Sequence, residues 1–113
     1  MPKSFKHEIK VYYEDTDAGG VVYYANYLKF LERARSEALL DIGLSNIKIK
    51  KDYGLLIVVK SCNIDFNKSA YLEDQLKVNS FITSFSKTSF IMSQSIFRNK
   101  DIIVKSKVHL VFV

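Results

Sequence analysis

Residues 14–17 hold three carboxylates in four positions, Glu14, Asp15 and Asp17, and Gly19 and Gly20 follow almost at once. Glycine lets a backbone take positive φ and approach a ligand closely. Tyr23 and Tyr24 then lead into residues with helical spacing, so the acidic side chains stand on a tight turn just ahead of a helix N-terminus. That arrangement suits a carboxylate held beside a carbonyl carbon, either attacking it or taking a proton from the attacking water. Negative charge developing on the carbonyl oxygen would meet unpaired N–H groups and the positive end of the helix dipole. Spacing alone leaves all three carboxylates open as the reacting group.

The elements that must hold this turn can be read from periodicity. Phe5, His7, Ile9, Val11 and Tyr13 alternate with Lys6, Glu8, Lys10 and Tyr12, the period of a half-buried strand. From residue 26 the period changes: Leu28, Leu31, Ala34 or Arg35, Ala38 and Ile42 mark one face of one amphipathic helix, with Asn26 as its N-cap and Gly43 as its left-handed C-terminal residue. Residues 45–52 read as a polar connection, and alternation returns over 54–66, 76–85, 89–97 and 102–113. One helix and five antiparallel strands make an α+β domain in which the helix covers one face of the sheet.

Composition narrows the function. A chain of 113 residues, 48% of them hydrophobic, supplies one packed core, so residues 1–113 read as a single domain. The first eight residues lack an apolar leader segment, and no stretch approaches the ~18 apolar residues of a membrane span, so a soluble cytoplasmic protein is expected. The net charge of +5 is scattered, with Lys48, Lys50 and Lys51 its one local cluster, which favours phosphate-bearing small ligands over nucleic acid. Cys62 and the separated His7 and His109 offer no metal-ligand spacing. Cys62 reads as a buried core residue, His7 as a packed or edge residue and His109 as a surface strand residue.

The run from Glu14 to Arg35, with Glu14-Asp15-Thr16-Asp17-Ala18-Gly19-Gly20 at its head, resembles the signature of the hotdog-fold acyl-CoA thioesterases, specifically the YbgC-like branch related to 4-hydroxybenzoyl-CoA thioesterase. The resemblance continues more weakly through Val58 to Ser61, Ala70 to Asp74, Thr83-Ser84 and Val108 to Phe112, and so spans nearly the whole chain. It implies a long helix wrapped by a five-stranded antiparallel sheet, dimers joined sheet edge to sheet edge, further pairing into a homotetramer, and active sites at the subunit interface. Asp17 matches the catalytic aspartate of the family, with the backbone N–H groups of Tyr24 and Ala25 as oxyanion donors and Asp15, Gly19 and Gly20 as loop support. Val22, Tyr23 and Asn26 fall with the substrate, and Lys60 and Lys87 stand where relatives place cations for coenzyme A. The acyl-CoA is the substrate, and no metal or separate cofactor is implied.

Two departures accompany the match. Tyr24 stands where many bacterial relatives carry histidine, which bears on acyl-chain preference, and the chain stops at Val113 where relatives add a short tail, so contacts from such a tail are not expected. Beside acyl-CoA hydrolysis, the reading leaves open hydrolysis of acyl groups on acyl carrier protein, whose acidic surface the basic chain would suit. It also leaves open a non-catalytic acyl-binding or scaffold subunit of the Tol-Pal envelope system. A dehydratase would need a pocket histidine, and neither His7 nor His109 is near the acidic turn in sequence.

Overall fold

The computed structural model describes residues 4–113. Strand β1 (Phe5–Lys10) leads through a single 3-10 turn (Tyr13–Asp15) and the acidic loop to helix α1 (Tyr24–Asp41), then a short helix α2 (Asn46–Tyr53) and strands β2 (Ile57–Phe66), β3 (Gln75–Phe85), β4 (Ser89–Arg98) and β5 (Asp101–Phe112). The strands form one antiparallel sheet in the order β1-β3-β4-β5-β2, so β1 and β2 are its edges.

Alternation along β3 and β4 buries Leu76, Val78, Phe90, Met92 and Ile96 on one face, against Tyr27, Phe30, Leu31, Ala34, Ala38 and Leu39 of α1. Burying a side chain of the size of Leu or Phe contributes about 1.5–3 kcal/mol, which makes this contact the main force holding α1 across the sheet. Gln94 is the polar exception at 1% exposure. Its Nε2 donates to the Leu31 carbonyl at 2.9 Å and to Ser80 Oγ at 3.0 Å, while its Oε1 accepts from Arg35 at 3.1 Å. Burial pushes the Arg35 guanidinium below its ordinary range, partly offset by Glu32.

Several sequence expectations are corrected. Helix α1 begins at Tyr24 with Tyr23 as its N-cap, so Asn26 lies inside the first turn. Its buried stripe is rotated from the expected one: Leu28 and Ile42 are exposed, because the large rings of Tyr27 and Phe30 take the core positions. Gly43 does adopt φ 79° just beyond the helix. The connection read over 45–52 is largely helix α2, capped by Ser45 Oγ accepting from Lys48 N at 3.1 Å and ended by Gly54 at φ 66°. That helix buries one residue, Ile49, too few for a periodic signal.

Cys62 is exposed, contrary to the expected core position. It pairs with Val108, a core residue, so it points to the helix side of the sheet, yet β2 is an edge strand and the chain's own helices leave much of its inner face uncovered. On β5 Ile103 is fully buried where strict alternation turns it outward, because the register shifts where Ile96 pairs with Val104 and Phe97 with Ile102.

Candidate active site

The acidic run folds as a small hairpin of its own. Thr16 bridges to Val22, Asp17 N donates to the Val21 carbonyl at 2.9 Å, and Gly20 N donates to the Asp17 carbonyl at 3.0 Å. Gly20 makes the reversal at φ 79°, a conformation that costs side-chain-bearing residues strain. Asp17 Oδ1 accepts from Gly19 N at 2.8 Å, and a Cβ at position 19 would stand 3.3 Å from that same oxygen. Asp17 Oδ2 accepts no hydrogen bond among the described residues.

Asp15 faces the other way. It is buried, its Oδ2 accepts from Tyr12 N at 2.9 Å, and its carbonyl accepts from Asn26 Nδ2 at 2.8 Å and Tyr23 N at 3.1 Å. Those bonds fasten the first turn of α1 to the loop. Glu14 is exposed on the 3-10 turn. The Tyr23 side chain makes no cap bond, and the backbone N–H groups of Tyr24 and Ala25 have no partner among the described residues. Two donors therefore stand open at the positive end of an 18-residue helix.

Asp17 and the first residue of α1 meet around a cavity of about 300 Å³ lined by Asp17, Val21, Val22, Tyr23, Tyr24, Tyr27, Phe66, Asn67, Lys68 and Ser69. Its wall is aromatic: the Tyr24 and Phe66 rings lie edge to face with centroids 4.9 Å apart, and Tyr27 tilts against Phe66 at 5.7 Å. Burial raises the Tyr27 hydroxyl above its ordinary pKa, partly offset by the hydrogen bond from Ala70 N at 2.9 Å. Lys68 is the cation of the rim, held by 3.1 Å to Asp101. A larger cleft, about 600 Å³, runs along the β1–β3 edge, but its one carboxylate, Glu8, is paired in register with Lys77, and it contains no helix terminus.

Of the residues singled out from sequence, Asp17, Val22, Tyr23 and Tyr24 come together here. Ala25 contributes an open N–H beside them, whereas Asn26 is buried and turned toward Asp15. Lys60 is the extra residue of a bulge in edge strand β2, and Lys87 lies in the β3–β4 turn. Neither lines this cavity within one chain, and neither do His7 on β1 and His109 on β5. Phe66, Asn67, Lys68 and Ser69 carried no signal in the sequence. They arrive because Asn67 N and Lys68 N both bond the carbonyl of Ile103 at the β5 bulge, which turns the chain leaving β2 toward the acidic loop.

Residues 19–105 match the family model of the thioesterase superfamily. The chain belongs to that superfamily. The matched span begins two residues beyond Asp17. An acyl-CoA thioesterase YbgC from Haemophilus influenzae is 36% identical over all of this chain and 83% of its own length. Among solved structures, a probable thioesterase from Bartonella henselae superposes with a TM-score of 0.93 at 32% identity, covering 98% of this chain and 92% of that one. A 1,4-dihydroxy-2-naphthoyl-CoA thioesterase from Synechocystis does so at 0.89 and 28%, covering 98% and 82%. The α+β architecture is the hotdog fold of these thioesterases, a five-stranded antiparallel sheet wrapped on a long helix with one short helix beside it. No helix of the described residues is long and apolar enough to cross a membrane.

Proposed function

We propose that this thioesterase hydrolyses acyl-CoA, with Asp17 acting at the thioester carbonyl. The observation that carries the reading is one cavity lined both by Asp17, a carboxylate with an uncommitted oxygen, and by Tyr24, the first residue of a helix whose Tyr24 and Ala25 N–H groups are open. With the carbonyl oxygen on the Tyr24 and Ala25 N–H groups, charge that builds on it is stabilised most in the transition state, and one such donor is typically worth ~100- to 1000-fold in rate. Asp17 then serves in one of two ways. It attacks the carbonyl carbon, the C–S bond breaks, the CoA thiolate leaves and is protonated, and water opens the resulting anhydride. Alternatively, it takes the proton of a water that attacks directly. Both routes give a carboxylic acid and CoA.

The acyl group fits against Tyr24, Tyr27 and Phe66, and the open rim leaves the CoA phosphates near Lys68. Exposed Val59 and Phe66 on the helix-facing side of edge strand β2 support pairing of two copies along that edge, and of two such dimers into a tetramer. In such a dimer Lys60 of one copy stands at the seam, where it reaches a CoA on its neighbour, and Lys87 remains a candidate for a phosphate outside the cavity. A CoA thioester substrate supports a cytoplasmic location for the reaction.

An acyl carrier protein is the second carrier, favoured by Lys6, Lys77, Lys105 and Lys107 on the outward face of the sheet. Thiol release measured with a chromogenic thiol reagent, on short, long and aromatic acyl-CoAs and on acyl carrier protein loaded with the same chains, tests the reading. Turnover of at least one acyl-CoA is expected. Release from the carrier protein alone would move the substrate class, and release from none would leave a binding or Tol-Pal scaffold role.

A further inference from the structure

The hairpin that carries Asp17 has few ties to the rest of the molecule. Beyond its own internal bonds and those of Thr16 N and Oγ1 to the carbonyl of Tyr13 in the adjoining 3-10 turn, residues 16–22 are fastened by Val22 N donating to the Ala70 carbonyl at 2.9 Å, by Leu72 N donating to the Gly20 carbonyl at 3.3 Å, and by the bridge between Val21 and Tyr71. All three run to one turn, residues 69–74. Ala70 N also donates to the Tyr27 hydroxyl at 2.9 Å, so this turn touches both the Asp17 hairpin and the first turns of α1. The turn is thus a second link between carboxylate and helix N-terminus, beside the bonds of the Asp15 carbonyl to Asn26 Nδ2 and Tyr23 N.

The turn is not held by its own preference. Glu73 sits at φ 69°, a left-handed conformation that costs a side-chain-bearing residue about 1–2 kcal/mol. Two backbone bonds tie the turn to Val11 just beyond β1, Val11 N to the Asp74 carbonyl at 2.9 Å and Glu73 N to the Val11 carbonyl at 3.0 Å, and Arg98, the last residue of β4, supplies the side-chain fastening. One guanidinium nitrogen, Nη1, donates to Asp74 Oδ2 at 2.8 Å and to the Ser69 carbonyl at 3.0 Å, so it grips both ends of the turn. The guanidinium also stands 5.6 Å from the Tyr71 ring centroid. Asp74 Oδ2 in turn accepts from Tyr71 N at 2.9 Å. The pair is partly shielded, with side chains 23% and 22% exposed, and its charge-assisted bonds are of the stronger kind.

We infer that Arg98, through Asp74 and Ser69, is a positioning residue that sets where Asp17 stands relative to the Tyr24 and Ala25 N–H groups, without lining the substrate cavity itself. The inference rests on Asp17 being the reacting group. Small errors in such placement are costly, about 100-fold for 1 Å, so a loosened turn lowers kcat while substrate binding is kept.

Arg98→Met keeps the stem and removes both bonds, and Arg98→Lys keeps the charge. Each is followed by amide hydrogen exchange over residues 16–24, by kcat and KM for a hydrolysed acyl-CoA, and by Tm. The expected result for Arg98→Met is roughly tenfold faster exchange confined to 16–24 and 69–74, and kcat lowered about tenfold with KM within twofold. Arg98→Lys is expected to recover part of both. Unchanged exchange over 16–24 overturns the inference, as does wild-type kcat. A raised KM with kcat intact also overturns it, and would make Arg98 a direct phosphate contact. The exchange measurement decides the clamp even if Asp17→Asn shows the assigned chemistry to be wrong.

Discussion

Asp17, Gly19 and Gly20 lie within four residues and answer to different physical demands. A methyl group at position 19 would press on the Asp17 oxygen from 3.3 Å, on a backbone that any residue can adopt. Gly19→Ala is therefore expected to lower kcat by up to about tenfold while Tm stays near wild type, because tenths of an ångström matter to a reacting carboxylate. Position 20 has open space but φ 79°. Gly20→Ala is expected to cost about 1–2 kcal/mol of stability, read as a lowered urea midpoint. A larger kcat loss in Gly20→Ala than in Gly19→Ala would contradict this division. The sequence could nominate the acidic run because residue type and spacing carry its chemistry. It could not separate Asp15 from Asp17 without the family resemblance, since their difference lies in direction: one carboxylate turns back to Tyr12 N and the other to Gly19 N. Lys68 was invisible for the same reason, its place at the rim being set by a bulge on a distant strand.

Among the elements, α1 does two jobs, filling the core with Tyr27 and Phe30 and presenting its N-terminus to the site. Tyr27 joins them. Tyr27→Phe leaves the buried Ala70 N–H without its acceptor and is expected to cost about 1–3 kcal/mol. It also has a pH signature. Burial holds the Tyr27 pKa above its ordinary 10.0, so below pH 10 both folded and unfolded chains keep the proton and stability does not respond. Above it the unfolded chain loses the proton first, and stability falls as pH rises toward the folded value. Urea unfolding between pH 8 and 11 should show a shallower alkaline decline in Tyr27→Phe; an equal or steeper decline would contradict the assignment. The strands and α1 were legible because their periods repeat over many residues. Helix α2 was not, because one buried residue makes no period; only Ser45 and Gly54, its cap residues, marked its ends. The rotated face of α1 followed from ring size, which a count of apolar positions does not weigh.

At the scale of the whole molecule, the inner face of β2 is unfinished. Val59 is 48% exposed and Phe66 43%, on an edge strand that also bears Cys62 and the Lys60 bulge. Val59→Lys is expected to leave a folded chain, since the residue is already half in water, and to shift the sedimentation coefficient from a dimer or tetramer to a monomer. Hydrolysis should fall with it, because the cavity is bounded by Phe66 at that same edge. A monomeric wild type with full activity would contradict the paired-edge reading. In the proposed mechanism the uncommitted oxygen of Asp17 performs the chemistry opposite the Tyr24 and Ala25 N–H groups. Asp17→Asn keeps an acceptor oxygen for Gly19 N and the shape of the loop while removing the charge. Its kcat for a hydrolysed acyl-CoA is predicted to fall by at least about 100-fold with Tm little changed, and hydrolysis at the wild-type rate would contradict the account.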